Sequence, residues 1–279
     1  MLPPDSLPFL TRARCLLSAG LFVALAVLMN AGQPRSAAKN FEIPDLQLHL
    51  IWVEPGTFSM GSRPEDASDK AETPLTRVTF THGFWLGRTE VTQAQYRAIT
   101  GDNPSHFADE GSGAPVERVS WIEAMAYCDK LTKREQAAGR LPGNYVYTLP
   151  TEAQWEYACR AGTTGPYAGE VEKMSWYDLN SAGATHPVAR RQPNDWGFYD
   201  MAGNVLEWCA DGDGNEAGGA GTDPTGPGEG FFRMARGGSW RSKMEIGRSA
   251  ARSGASPARQ DYTLGFRLAL RFENKLSPR

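Results

Sequence analysis

The sequence predicts a loop-rich α/β domain low in regular secondary structure, and three observations carry that prediction. Thirty glycines and 19 prolines among 279 residues interrupt the chain too often for long helices or broad sheets. Three segments, Thr92-Gln93-Ala94-Gln95, Ser120-Trp121-Ile122-Glu123 and Thr151-Glu152-Ala153-Gln154, place a hydroxyl three residues before a carboxyl or amide. At that spacing the two side chains cap free backbone N–H groups at a helix start. Thr76 to Thr81 and Gly265 to Phe272 alternate apolar and polar residues with the strand period.

Residues 1–38 read differently from the rest. Arg12 and Arg14 precede an apolar run from Leu16 to Met29, and Ser36, Ala37 and Ala38 follow it, the layout of a cleaved secretory signal peptide. The run is shorter than the roughly 20 residues that a spanning helix needs, and Cys15 lies before it, so no stable membrane anchor or lipid attachment is expected. The mature chain, 39–279, is then one domain, monomeric and periplasmic or secreted. With 41% hydrophobic and 22% charged residues it can bury one sizeable core. Losing three arginines and one aspartate moves the formal charge from −3 to −5, and no basic stripe marks a nucleic-acid partner.

Along that domain, the second capped helix is expected to run to about Glu135 and the third to stop near Gly162, a residue suited to a C-terminal cap. Asp211 to Gly230, rich in glycine, reads as a mobile surface excursion. The two alternating segments imply a hairpin or short sheet that joins the ends of the domain. Tryptophans such as Trp85, Trp121, Trp155, Trp176, Trp196 and Trp208 are expected to anchor the core.

Cys128, Cys159 and Cys209 are an odd number for an exported chain, so at least one is unpaired. Buried thiols acting as small hydrophobes, a redox role and a Cys128–Cys159 bridge are all open from the sequence. His49, His82, His106 and His186 have no metal-ligand spacing. Asp200 to Trp208 is the strongest metal candidate, because a tight turn there could offer the Asp200 and Glu207 carboxylates with backbone carbonyls between them to a hard cation. Equally, Asn204 and Glu207 could brace the turn by hydrogen bonding.

Leu149-Pro150-Thr151-Glu152-Ala153-Gln154-Trp155-Glu156-Tyr157-Ala158, Gly203-Asn204-Val205-Leu206-Glu207-Trp208, Arg236-Gly237-Gly238-Ser239-Trp240 and Leu264-Gly265-Phe266-Arg267 occur in that order. Val53 to Ser62 and Glu90-Val91-Thr92-Gln93-Ala94-Gln95-Tyr96 precede them. From about Ile51 to Leu270 the chain resembles the formylglycine-generating enzyme family, also called the sulfatase-modifying factor family. The resemblance implies a compact α/β fold related to C-type lectins. It also implies a structural calcium ion held by side chains of Asp200 and Glu207 and carbonyls of Gly203 and Val205, with a second site at Asn180 and Ser181. Family disulfide partners of Cys128 and Cys159 correspond to Leu268 and Ser249 here. The family's copper(I)-binding thiolate pair corresponds to Ser242 and Met244, in a loop about three residues shorter, so neither copper nor formylglycine formation by that route is expected.

The same loop is where the resemblance places an active cleft. Glu245, shielded by Trp240, is the candidate general acid or base, with Ser242 and Arg248 beside it as catalytic candidates. Trp240 and Arg252 are the candidate substrate-binding residues, the arginines as forks for a carboxylate or phosphate. The alternatives are a surface carboxylate and loop-stitching arginines. The function expected from the resemblance is maturation, by oxidation, of a peptide-like or small-molecule substrate, for example a siderophore precursor such as the pyoverdine chromophore. The alternative is a non-catalytic, lectin-like ligand-binding or accessory module.

Overall fold

All three capping boxes form. Thr92, Ser120 and Thr151 cap helices α1 (Gln93–Thr100), α2 (Trp121–Ala137) and α3 (Glu152–Arg160), each with the reciprocal bond from the residue three positions on. The third helix ends at Arg160, near the expected glycine cap, and both Ala161 and Gly162 have positive φ. A fourth, single-turn helix α4 (Val171–Met174) follows. The computed structural model describes residues 40–108, 111, 113–141, 143–214, 221–228 and 230–272. The expected signal peptide, 1–38, lies outside the described residues.

Among the described residues, twelve short strands run around these helices: β1 (Phe41–Ile43), β2 (Leu48–Val53), β3 (Gly56–Met60), β4 (Thr76–Phe80), β5 (Phe84–Gly87), β6 (Tyr145–Thr148), β7 (Leu206–Gly212), β8 (Gly221–Thr222), β9 (Arg233–Arg236), β10 (Ser253–Ala255), β11 (Leu264–Gly265) and β12 (Ala269–Phe272). They form three sheets, ordered β1-β2-β5-β12-β6, β10-β9-β7-β11 and β3-β4-β8. The expected link between the chain ends exists, but through different strands. The alternating segment at 265–272 divides, β11 pairing in parallel with β7 while β12 inserts between β5 and β6. The segment at 76–81 pairs instead with β3 and β8.

Residues 215–220 and 229 of the expected excursion lie outside the described residues, but its described stems are built into the fold. Asp211 is buried and accepts from the Glu152 backbone N–H at 2.8 Å, and β8 adds to β4.

Two apolar clusters fill the interior. One packs Tyr96, Tyr127, Leu131, Trp208 and Phe266 between α1, α2 and the five-stranded sheet. The other packs Val78, Phe80, Trp155, Tyr157 and Phe198 beneath β3 and β4. Trp155 and Trp208 are full core anchors, whereas Trp85, Trp121 and Trp196 are only partly buried. Trp176 lies between His186, stacked on it at 3.7 Å, and the Arg191 guanidinium. Cys128, Cys159 and Cys209 are free and buried, and burial raises the pKa of all three thiols, that of Cys159 to about 11.

Charged side chains occupy the interior as well. Glu207, on β7, receives both Arg267 nitrogens, Nε at 2.5 Å and Nη2 at 2.6 Å, and the Trp155 indole N–H at 2.7 Å. On α3, Glu156 pairs with Arg160 and Arg236, and Glu152 takes a bidentate pair from Arg252. A buried charge left alone is costly, so Glu207→Ala should lower unfolding stability by about 3–5 kcal/mol in urea denaturation. Adding Arg267→Met to that variant should restore part of the loss, because the second change removes the orphaned cation.

Candidate functional site

Asp200, Glu207 and Glu90 are all buried, and each of the first two is near enough to raise the proton affinity of Glu90. Asp200 Oδ2 accepts from the Ala189 N–H at 2.8 Å, while its Oδ1 and both Glu90 carboxylate oxygens are buried without partners. Burial pushes the Asp200 carboxyl up to about 6 and holds Glu90 well above its ordinary value, with the neighbouring carboxylates adding to both shifts. The guanidinium of Arg267 acts on all three carboxylates, and that of Arg191 also acts on Asp200. Unpartnered oxygens and excess negative charge are what a hard cation requires, so Asp200 fits the expected calcium ion.

Glu207 fits it less well, since Arg267 and Trp155 already occupy both its oxygens. Among the described residues no three His, Cys, Asp or Glu side chains group closely enough to hold a metal by themselves. The rest of a calcium shell would therefore come from carbonyls such as those of Gly203 and Val205. Gly203 has φ +85°, and a Cβ there would collide with the Trp176 carbonyl, which explains the glycine. Asn180 is a turn brace: its Oδ1 accepts from Tyr177 N–H at 2.8 Å and its Nδ2 donates to the Ser175 carbonyl at 3.0 Å. Both ends of its amide are thus engaged in the turn. Asn204 braces in the same way, its side chain bonding both ways with the His186 backbone.

The shortened loop does not assemble the expected acid–base site. Glu245 sits on a 3₁₀ turn, Met244–Gly247, with an exposed side chain. Trp240 does not shield it: the indole packs against Phe107 and Tyr262 and donates to the Tyr262 carbonyl at 3.1 Å. Ser242 Oγ accepts from the Ser239 N–H at 3.0 Å and lies 3.1 Å from its hydroxyl, closing a turn. Arg248 is buried against Glu72 and Ser68 and donates to the Asp66 carbonyl. Arg252 is spent on Glu152 and the Ala71 carbonyl. Both arginines are thus stitches between loops, not free forks, because each finds a buried carboxylate within its own reach.

Ser242 and Met244 nevertheless line one small cavity of about 10 Å³ with Tyr177, Ser239 and Lys243, and Glu245 is not part of its wall. A neighbouring small cavity of about 20 Å³ is bounded by Cys159, Val171, Met174, Phe198 and Asp200. A third, open cleft of about 430 Å³ lies apart from both, between the start of α1 and residues 187–190.

The family model for the sulfatase-modifying factor enzyme 1-like domain matches residues 36–272. The chain belongs to that family. Among curated relatives of this sulfatase-modifying factor family member, the chaperone protein LppX of Paenibacillus barcinonensis is 30% identical over 242 residues, 70% of this chain and 79% of LppX. The formylglycine-generating enzyme of Streptomyces coelicolor is 34% identical over 183 residues, 56% of this chain and 52% of that enzyme, about half its length. Among solved structures, PvdO from Pseudomonas aeruginosa superposes with a TM-score of 0.74 at 26% identity, covering 85% of this chain and 99% of PvdO.

Sequence reasoning passed over Glu90, Glu117 and Arg267 as functional or electrostatic groups, since each is a single charged residue with no spacing rule. Glu117 is fully buried. Its Oε1 accepts from the Phe107 N–H at 2.8 Å and its Oε2 has no partner, so burial lifts its carboxyl to about 7. A carboxyl raised in the folded state adds stability in full below its unfolded value, near 4.3, and loses it as pH climbs through about 7. Wild type should therefore lose stability, on the order of 1–3 kcal/mol from this group, between pH 5 and 8. Urea denaturation of Glu117→Gln at the two pH values should show a correspondingly smaller fall; an equal fall would assign the dependence elsewhere.

Proposed function

We propose that this family member is exported and binds a peptide-like or small-molecule ligand as an accessory or chaperone-like module, without thiol–copper oxidation. The carrying observation is the loop at 239–248. Where the family chemistry requires two thiolates, Ser242 closes a turn on Ser239 and Met244 offers a lone thioether. The surrounding acid and cation candidates are exposed, in Glu245, or consumed by buried pairs, in Arg248 and Arg252. The likeness to LppX, named a chaperone protein, supports the same reading. Arg12, Arg14 and the apolar run after them support export to the periplasm or beyond.

A second reading, oxidative maturation of a peptide-like substrate such as a siderophore precursor, is favoured by the likeness to formylglycine-generating enzymes, 34% identical over 183 residues for that of Streptomyces coelicolor. Calorimetric titration and oxygen uptake with the same panel of peptides and siderophore precursors separate the two. The expected result is a binding heat without oxygen consumption. Uptake that is lost in Met244→Ala would overturn the accessory reading in favour of an oxidase.

A structural calcium ion at Asp200 belongs to the same proposal, supported by the unpartnered oxygens there. An ion bound only by the folded state stabilises it by mass action, about 3 kcal/mol at a hundredfold excess over Kd. Adding a chelator to calcium-loaded protein should lower Tm by several degrees, and Asp200→Asn should abolish that response. An unchanged wild-type Tm would rule the ion out.

A further inference from the structure

The open cleft beside α1 reverses the charge of the molecule locally. The chain carries a formal −3, yet the charged or titratable lining residues are Arg88, Arg190 and His49, with no aspartate or glutamate among them. Among the described residues, His49 alone of these three has a carboxylate in ion-pair range, Glu42 at 3.8 Å. Arg88 stacks on the Tyr199 ring, 4.8 Å from its centre, and donates to the Tyr199 hydroxyl at 3.2 Å, so it is held in place without being neutralised. Arg190 is exposed and makes no hydrogen bond or ion pair among the described residues.

Both walls are fixed by the fold. On one side the Arg88 N–H donates to the His49 carbonyl at 2.9 Å, and the Gln95 amide donates to the Leu46 and Gln47 carbonyls. On the other, Val188 N–H bonds the Gly113 carbonyl at 3.0 Å and Ala189 N–H bonds Asp200. A prebuilt cleft of about 430 Å³ lies within the size range of small-ligand sites. Its lining is largely polar, with Gln47, Thr89 and Thr92 between the cations.

We infer that this cleft binds a ligand bearing carboxylate groups, gripped between the Arg88 and Arg190 guanidinium groups. Guanidinium forks match carboxylate geometry, and the buried arginines elsewhere in this chain already hold carboxylates, whereas these two have no carboxylate partner among the described residues. The inference deepens the ligand-binding reading above and rests on it for the choice of peptide as the source of the carboxylates. It uses none of the residues of the 239–248 loop.

The test is calorimetric titration of the mature protein with three probes: a hexapeptide of alternating Asp and Glu, the same hexapeptide with Asn and Gln, and citrate. The acidic peptide should bind, more weakly at 0.5 M than at 0.05 M salt. Arg190→Glu and Arg88→Glu should each weaken it at least tenfold, with circular dichroism and Tm checking the fold. Arg190 has no partner to lose, so its variant is the safer of the two. Citrate binding with the same arginine dependence but no peptide binding would keep the carboxylate site and remove the peptide reading. Equal binding of acidic and neutral peptides, unaffected by either substitution, would keep a peptide binder and overturn this cleft. No binding by any probe would overturn both.

Discussion

The buried pairing of arginine with glutamate is the interaction on which this fold depends. A domain made of short strands and long connections brings many backbone carbonyls inside without a regular ladder to satisfy them. Arginine answers that problem because one guanidinium serves a carboxylate and several carbonyls at once. Arg267 binds Glu207 and also donates to the carbonyls of Gly87 and Tyr199, each at 3.0 Å. Arg160 does the same for Glu156, Gly61 and Gly165. Such pairs contribute little net stability relative to apolar replacements, but breaking one strands a charge. Their role here is to fix which loop lies against which.

That requirement decides what is left for function. Arg248 and Arg252, four apart in a loop of the family's active region, look in sequence like a substrate clamp, yet the fold uses both to hold the segment around Glu72 against the rest of the domain. A cation engaged inside the protein is unavailable to a ligand. Arg88 and Arg190, without carboxylate partners among the described residues, line the cleft beside α1 instead.

Much of the fold was legible in the sequence, and the reasons are local. Capping boxes depend on four consecutive residues, so Thr92, Ser120 and Thr151 announced their helices. The four quoted family phrases also proved to encode the charge network: Glu152 and Glu156 from one, Glu207 from the next, Arg236 from the third, Arg267 from the fourth. What was not legible is which glutamate meets which arginine, because partners lie far apart along the chain. The Gly265–Phe272 segment looked like one strand because alternation is blind to sheet membership. Its middle must leave the ladder so that Arg267 can reach Glu207. Glu245 misled for a related reason: nearness to Trp240 in sequence says nothing about shielding once the indole turns toward Phe107 and Tyr262.

The placement of β12 has a consequence for how the molecule comes into being. Its neighbours in the five-stranded sheet, β5 and β6, come from much earlier in the chain, so that sheet is in two pieces until residues 269–272 are present. Contacts between chain ends demand loop closure before they return any free energy, which delays them. The five-stranded sheet therefore cannot close until that segment has been made. Until then β5 and β6 each keep an edge without its backbone partner, and their side of the core stays open.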